Sequence, residues 1–149
     1  NGSQRVVTDG VISEEECREL LRLTNAAASA GDGYRGANSP HTPNEKFYKQ
    51  EDRKDLSHPV HADNCILNAE ANMCIKEHPA YTFRDYSAIL YLNGDFEGGI
   101  FIFTELDAKT VTTEVRPQCG RMVGFSSGAE NPHGVYAVTK GQRCAVALW

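Results

Sequence analysis

The second half of the sequence alternates short β-type runs with glycine-rich or polar turns, and this pattern limits the chain to a mainly β fold. β-branched and aromatic residues dominate the runs, and Gly, Pro, Asn and Asp separate them. The runs occupy residues 81–93, 100–104, 111–115, 121–125, 135–138 and 143–149. We expect an antiparallel sandwich or jelly-roll barrel, closed by a final hairpin that turns at residues 139–142.

The first thirty residues predict one helix that packs beside the strands. Ser13 and Glu16 have the spacing of a capping box, in which each side chain bonds the other residue's backbone N–H. Cys17, Leu20, Leu21 and Thr24 then recur at helical spacing, so the helix should present one packing face. It should end near Gly31, and a short strand at residues 5–8 should precede it.

Residues 31–58 are polar and rich in Gly, Pro and Asn, and they predict no regular strand or long helix. Loops of this length are uncommon inside a compact domain and are functional, disordered or a sign of missing sequence. We expect His41 and His58 to be solvated there. A length of 149 residues predicts a single domain large enough to bury a core, and both ends resemble cuts in a larger protein.

Composition excludes some function classes. The formal net charge is −5 and no basic stripe is present, so a nucleic-acid binder held by phosphate contacts is not expected. No apolar run approaches transmembrane length. The five cysteines show neither a CxxC pair nor zinc-ligand spacing. Cys65 and Cys74 are close enough in sequence to form a disulfide, although buried free thiols explain the set equally well.

A set of four polar residues carries the chemical prediction. Arg143 opens the apolar run CAVALW, and arginine is rarely buried without an anionic partner. His133 lies in an NPHG turn, whereas His61 and Asp63 are two apart and would point the same way in a strand. Two histidines and one carboxylate form the facial triad of non-haem iron oxygenases. The open positions suit a 2-oxo acid, whose far carboxylate a guanidinium can grip.

Several motifs extend this prediction to a family. They are HADN (61–64), YLN (91–93), FEGGIFIF (96–103), VRPQCGRMVGF (115–125), NPHGV (131–135) and KGQRCAVALW (140–149). Together they resemble the 2-oxoglutarate/Fe(II) dioxygenases of the prolyl hydroxylase type. More narrowly, DYSAILYLNGDFEGG, FTELDAKTVT and GFSSGAENPHGVYAVTKGQRCAVALW resemble the leprecan family, the collagen prolyl 3-hydroxylases. The resemblance runs from about residue 58 to the end, with a weaker echo in TDGVISEEECREL.

The resemblance implies a double-stranded β-helix barrel that binds Fe(II) through His61, Asp63 and His133. Arg143 would bind the distal carboxylate of 2-oxoglutarate and so serve catalysis. Tyr91 would be either a second contact to that carboxylate or a core tyrosine with a satisfied hydroxyl. The reaction would hydroxylate proline at C3 in procollagen chains, convert 2-oxoglutarate to succinate and CO2, and rely on ascorbate to keep the iron reduced.

The resemblance also implies a cellular compartment and partner proteins, and two alternative functions stay open. Family members work in the lumen of the endoplasmic reticulum with a cartilage-associated protein and a cyclophilin. Relatives carry a longer segment before the HxD motif, so we expect either a truncated form or residues missing within 31–57. Hydroxylation at proline C4 or of another protein side chain is an alternative activity. A barrel retained only as a binding or scaffolding module is a second alternative.

Overall fold

The computed structural model describes residues 4–31 and 55–149, which form a mainly β structure with one described helix, α1 (Glu14–Ala30). This helix is too short and too polar to cross a membrane. The strands are, in chain order, β1 (Arg5–Thr8), β2 (Leu56–His61), β3 (Ile66–Asn68), β4 (Met73–Ile75), β5 (Tyr86–Tyr91), β6 (Glu97–Gly98), β7 (Phe101–Thr104), β8 (Val111–Val115), β9 (Met122–Ser126), β10 (His133–Tyr136), β11 (Val138–Lys140) and β12 (Ala145–Leu148).

Two four-stranded antiparallel sheets make up the body of the structure. The first, which we call the major sheet, has the order β1-β9-β5-β12, and the second, the minor sheet, has the order β2-β10-β7-β8. β6 pairs with β11, and β3 pairs with β4 in a small hairpin. Strands that are distant in sequence are neighbours in both sheets, which is the arrangement of a jelly roll or double-stranded β-helix. The predicted fold class is confirmed.

The core lies between the inner faces of the two sheets. Every second residue of a strand points to the same face, so each strand contributes alternate side chains to this layer. The buried cluster contains residues from both sheets: Tyr91, Phe101, Phe103, Val115, Val123, Phe125 and Val135. Phe101, Phe103 and Phe125 are core residues, whereas Phe96 lies outside this cluster and is half-buried.

Helix α1 begins and ends where the sequence predicts. The Ser13 hydroxyl accepts from the Glu16 backbone N–H at 3.1 Å, and the Glu16 carboxylate accepts from the Ser13 N–H at 3.0 Å. Cys17 is buried on the packing face and forms a disulfide with Cys119, which precedes β9. This bridge, absent from the sequence-based expectations, ties the helix to the barrel. A second disulfide joins Cys65 and Cys74 across the β3–β4 hairpin, and Cys144 is free and buried.

Two sequence-based boundaries are wrong. The run 81–93 is a strand only over β5, because the chain before Tyr86 turns through hydrogen bonds such as Arg84 N–H to Tyr81 O at 3.0 Å. The stretch 31–58 is not free of strands, since β2 begins at Leu56 and contains His58. The expectations for residues 32–54, including His41 and most of the proposed missing segment, lie outside the described residues.

The predicted final hairpin is also wrong. β10 lies between β2 and β7 in the minor sheet, whereas β12 pairs with β5 in the major sheet. The intervening β11 pairs with β6 instead of closing a tight turn. Glycine makes this crossing possible: at Gly98 φ is +78°, and a Cβ there would lie 2.0 Å from the Ala137 carbonyl oxygen.

The two disulfides should contribute unequally to stability. The Cys17–Cys119 bridge spans a sequence separation of 102, and the Cys65–Cys74 bridge spans 9. Because a cross-link that closes a longer loop removes more entropy from the unfolded chain, the model of loop closure predicts a difference of about 2 kcal/mol. We expect Cys17→Ala/Cys119→Ala to lower the free energy of unfolding by that much more than Cys65→Ala/Cys74→Ala. Non-reducing urea denaturation measures both variants, and equal losses would contradict the expectation.

Candidate metal centre

The candidate centre is built on a direct pairing between two histidines of neighbouring strands. His61 is the last residue of β2, His133 is the first residue of β10, and the two are register partners in the minor sheet. Side chains of such partners point to the same face of a sheet. Their ring centroids are 4.5 Å apart. The sheet register therefore brings together two residues that are far apart in the sequence.

Backbone carbonyls fix the tautomer of both rings. Nδ1 of His61 lies 2.8 Å from the Pro59 carbonyl oxygen, and Nδ1 of His133 lies 2.9 Å from that of Asn131. A carbonyl oxygen can only accept, so each Nδ1 carries the proton and donates it. In the neutral ring, Nε2 then keeps a free lone pair, as a metal-ligating histidine requires.

Asp63 completes the group from a bend that follows β2. Its Oδ1 lies 3.2 Å from His61 Nε2 and 3.3 Å from His133 Nε2. The sequence-based prediction placed His61 and Asp63 in one strand, but β2 ends at His61. Asp63 instead takes its position from the Ser127 carbonyl, which accepts the N–H groups of Asp63 at 3.1 Å and of Asn64 at 3.0 Å.

Ser87 of β5 holds the second oxygen of this carboxylate, and sequence reasoning did not identify it. The buried Ser87 hydroxyl donates to Asp63 Oδ2 at 2.5 Å and lies 2.8 Å from the Ser127 hydroxyl. Oδ2 is therefore occupied, whereas Oδ1 is left to face the two histidines. The only sequence signal for Ser87 is a hydroxyl on the inward-facing side of an otherwise apolar strand.

The three facing atoms form an arrangement that fits a divalent cation. All three ligand atoms lie within 4.8 Å of one another. A metal that binds imidazole nitrogen and carboxylate oxygen at about 2.1 Å places adjacent ligands about 3 Å apart, close to the separations found here. The carboxylate oxygen and the two imidazole nitrogens converge on one point, and a divalent cation placed there would bind all three.

The charge state of the group suits the same ligand set. Burial raises the pKa of the Asp63 carboxyl, but the two histidines outweigh that effect and hold its pKa far below the usual range. Burial and the nearby His61 lower the pKa of His133, which favours the neutral ring. For His61, burial acts to lower the pKa, and the Asp63 carboxylate more than offsets it, so the pKa is raised. The ionised Asp63 carboxylate and the neutral His133 ring match two of the three ligands predicted for Fe(II), and His61 would lose its Nε2 proton when a metal binds.

The centre opens to solvent on one side. The side chains of His133 and Asp63 are 7% and 8% exposed, whereas that of His61 is 39% exposed. His133 stacks on Phe101 with ring centroids 5.4 Å apart, and its ring lies 4.6 Å from that of Phe125. The apolar core thus fixes His133 from behind, and access runs along the side of His61.

Arg143 and Tyr91 lie together on the major sheet. Tyr91 ends β5 and pairs with Ala145 of β12, so Arg143 stands just before that strand. The guanidinium carbon of Arg143 lies 5.3 Å from the centre of the Tyr91 ring. Gly99 leaves room for the arginine stem, since a Cβ there would lie 3.4 Å from Arg143 Cδ. Tyr91 itself is fully buried and belongs to the core cluster.

Both residues have a buried polar atom that the described part of the chain leaves without a partner, namely the Tyr91 hydroxyl and Arg143 Nε. Arg143 is the described residue that acts most strongly on the Tyr91 hydroxyl, so a carboxylate contact and a core tyrosine both stay predictions. Burial raises the pKa of the Tyr91 phenol, although Arg143 acts in the opposite direction, so the hydroxyl stays a neutral donor. A neutral donor beside a guanidinium fits a carboxylate ligand.

The other charged residues near these strands have structural partners. Arg121 forms an ion pair with Asp9, with Nε 2.7 Å from Oδ1. The guanidinium of Arg84 lies between the rings of Tyr81 and Trp149, 4.0 and 3.9 Å from their centres. Cation–π stacking on two aromatic faces can hold an arginine without a carboxylate.

Comparison with known proteins identifies the family. A profile of the 2OG-Fe(II) oxygenase superfamily matches residues 47–149. The chain belongs to that superfamily. The superfamily confirms the predicted cofactors Fe(II) and 2-oxoglutarate, and the His61, Asp63 and His133 cluster lies within the matched range. Ascorbate is untested and stays a prediction.

Within the superfamily, the chain is similar to prolyl 3-hydroxylases, as the motifs predicted. It is 59% identical to Prolyl 3-hydroxylase 1 of Mus musculus over 209 residues, with 100% of this chain and 28% of that protein covered. It is 52% identical to Prolyl 3-hydroxylase 2 of Gallus gallus over 209 residues, with 100% of this chain and 30% of that protein covered. The chain thus spans less than a third of the length of these relatives.

A solved structure supports the fold. The crystal structure of a Pseudomonas putida prolyl-4-hydroxylase matches with a TM-score of 0.60 and 17% sequence identity, and the match covers 98% of this chain and 91% of that one. At this identity the similarity shows the shared 2OG-Fe(II) oxygenase fold alone.

Ser87 provides a test of how the carboxylate is held. We expect Ser87→Ala to weaken the binding of Fe(II) or Co(II) roughly 10- to 100-fold, because removing a hydrogen bond that orients a ligand has effects of this size. Isothermal titration calorimetry measures the affinity directly. Ser29→Ala, at an exposed position of α1, is the matched control and should bind metal like the wild type. Unchanged affinity in Ser87→Ala would show that Asp63 needs no such support.

Proposed function

We propose that this chain forms a single catalytic domain of a 2-oxoglutarate- and Fe(II)-dependent dioxygenase that hydroxylates proline at C3 in collagen chains. The observation that carries the proposal is the convergence of Asp63 Oδ1 and two histidine Nε2 atoms, 3.2 and 3.3 Å away, within the matched family region.

In this proposal His61, Asp63 and His133 are the iron ligands. The ion would supply the redox chemistry that lets dioxygen react with an unactivated C–H bond. The protein's part is to keep both Nε2 lone pairs free through the two Nδ1 hydrogen bonds, and to keep Asp63 ionised and oriented. The phenylalanine rings behind His133 exclude water from the buried side of the site.

Arg143 and Tyr91 would bind the distal carboxylate of 2-oxoglutarate. Their buried atoms lack partners among the described residues, and the guanidinium lies beside the Tyr91 ring. A carboxylate there would satisfy Arg143 Nε and the tyrosine hydroxyl together. Such binding would fix the cosubstrate at the end away from the iron, which makes Arg143 a cofactor-binding residue with a catalytic effect.

The overall reaction balances with dioxygen as oxidant. One oxygen atom enters the proline C3–H bond and gives 3-hydroxyproline. The other enters 2-oxoglutarate, which loses CO2 and becomes succinate. Ascorbate, in this proposal, returns oxidised iron to the ferrous state between turnovers.

The substrate and setting are proposed from the relatives and from the disulfides. The relatives named prolyl 3-hydroxylase cover this chain entirely. The disulfides Cys17–Cys119 and Cys65–Cys74 suit an oxidising compartment such as the endoplasmic reticulum lumen. The resemblance further suggests a cartilage-associated protein and a cyclophilin as partners, which co-purification from collagen-producing cells would test.

The aligned regions of the relatives span 209 residues against 149 in this chain. This difference of 60 residues supports the proposal that the chain lacks a segment found in its relatives. If such a segment carries substrate-groove residues in the relatives, its absence would change which substrate this chain hydroxylates. The iron ligands would stay unchanged.

Hydroxylation at C4 is the alternative activity. The Pseudomonas putida prolyl-4-hydroxylase shares the fold, but its 17% identity carries no argument about regiochemistry. Which carbon reacts depends on where its C–H bond sits relative to the iron. A non-enzymatic scaffold is disfavoured, because it would have no use for three convergent ligands and for an arginine whose buried Nε has no partner among the described residues.

The test of the activity is product analysis on a procollagen-like peptide. We expect the protein with Fe(II), 2-oxoglutarate and ascorbate to form succinate and 3-hydroxyproline in equal amounts, measured by mass spectrometry with synthetic isomer standards. His133→Ala should abolish both products, because it removes an iron ligand. If 4-hydroxyproline is the only product, the alternative activity is favoured. If His133→Ala turns over as fast as the wild type, the assignment of His133 as an iron ligand is wrong.

Arg143 tests the cosubstrate site separately. We expect Arg143→Ala to weaken 2-oxoglutarate binding at least tenfold, because a charge-assisted contact of about 1.5–3 kcal/mol is lost, while Fe(II) affinity changes little. Calorimetric titrations of each ligand provide the comparison. Arg121→Ala, which removes the surface pair with Asp9 and the bonds to the Arg116 carbonyl and the Gln118 side chain, is the control. An equal loss of metal and 2-oxoglutarate binding in Arg143→Ala would instead indicate a folding defect.

A further inference from the structure

The two iron-ligand histidines differ in how their orienting carbonyls are held. The acceptor for His61, the Pro59 carbonyl, lies inside β2, between the register pairs that His58 and His61 form with β10, at a point where the register shifts. The acceptor for His133, the Asn131 carbonyl, lies in the loop before β10. The next residue, Pro132, has no N–H to donate, so this turn has fewer backbone hydrogen bonds available. The position of the Asn131 carbonyl must therefore depend on other contacts.

The contacts of Asn131 come largely through its side chain. Asn131 is 1% exposed. Its Nδ2 donates to the Ser126 carbonyl at 3.1 Å and lies 2.9 Å from the Ser126 hydroxyl. Its Oδ1 accepts from Arg5 Nε at 2.5 Å, and its backbone N–H donates to the Gly128 carbonyl at 3.1 Å. Every polar group of Asn131 is thus satisfied, and one of these bonds comes from the first strand of the chain.

Arg5 reaches His133 by a second path. Its guanidinium carbon lies 4.1 Å from the centre of the Phe103 ring, and Phe103 packs edge-on against His133 with ring centroids 6.3 Å apart. The Arg5 Nη1 atom also contacts the hydroxyls of Thr112 and Thr113 at 3.3 Å. Arg5 therefore connects three elements: β1, β8 and the loop that precedes β10. Among the described residues, the hydrogen bond to Asn131 Oδ1 comes from Arg5 alone.

We propose that Arg5 is a positioning residue for the iron centre, which orients His133 by fixing Asn131, the residue whose carbonyl accepts the His133 Nδ1 proton. Arg5 touches neither iron nor substrate. It acts through one side-chain bond that holds the orienting carbonyl in place. The proposal rests on the proposed metal centre, and it assigns to β1 a role in metal binding that its distance in sequence from His133 does not suggest.

The test is a double-mutant cycle read out by metal affinity. Co(II), which resists air oxidation better than Fe(II), is titrated into the protein and followed by calorimetry and visible absorption. We expect Arg5→Ala and Asn131→Ala each to weaken Co(II) binding roughly tenfold, at the low end of the range for residues that orient ligands. If Arg5 acts through Asn131, the double variant should bind no more weakly than Asn131→Ala alone.

Two further variants separate positioning from a merely structural role. Val6 lies on the same strand as Arg5 and is 51% exposed. The variant Val6→Ala leaves Asn131 untouched, so its Co(II) affinity should equal that of the wild type. Arg5→Lys keeps the charge and stem but loses the Nε bond, so it should fold and still lose metal affinity. This variant keeps the test informative if Arg5→Ala fails to fold.

The outcomes discriminate clearly. Arg5→Lys within twofold of the wild type in Co(II) affinity would overturn the proposal, as would equal losses in Arg5→Lys and Val6→Ala. Independent losses that multiply in the double variant would also overturn it, because Arg5 would then not act through Asn131. If the wild-type protein binds no Co(II), the proposed metal centre itself is wrong. If the wild-type protein binds Co(II) and the variants behave otherwise than expected, only the proposed role of Arg5 is wrong.

Discussion

The pairing of β2 with β10 is the constraint on which the site depends. It sets His61 opposite His133 and directs both rings to one face of the minor sheet. If this register shifted by one residue, one ring would point to the opposite face of the minor sheet, and the three candidate ligands would no longer lie together. The flanking pairing of β10 with β7, in which His133 faces Phe103, helps to hold the register. The centre is thus a product of sheet geometry more than of any local motif.

The fold class and the helix could be predicted because each has a local signal, whereas the proposed ligands His61, Asp63 and His133 were predicted from a residue set and motifs spread along the chain. Ser13 and Glu16 mark the helix start, and the alternation of apolar residues marks most strands. The pairing of strands was not accessible in the same way. The final hairpin was wrong because short strands joined by a turn predict a hairpin, whereas tertiary packing sends β10 and β12 to different sheets.

The supporting residues of the site were less predictable than the ligands. Ser87 and Asn131 act through hydrogen bonds between elements distant in the sequence, and neither has a distinctive spacing. The bend that carries Asp63 was predicted as a strand, since HxD fits period-two alternation as well as a strand end. The Cys17–Cys119 bridge has no spacing signal because its loop encloses most of the chain.

The Ser127 carbonyl, which receives the N–H groups of Asp63 and Asn64, ties a loop of the minor sheet to the end of β9 in the major sheet. The carboxylate is therefore located relative to one sheet and the histidines relative to the other. As a result, the geometry of the ligand set reports the spacing between the sheets. A substitution in the core that thickens or thins this layer by a fraction of an ångström would distort the centre while the fold remained intact.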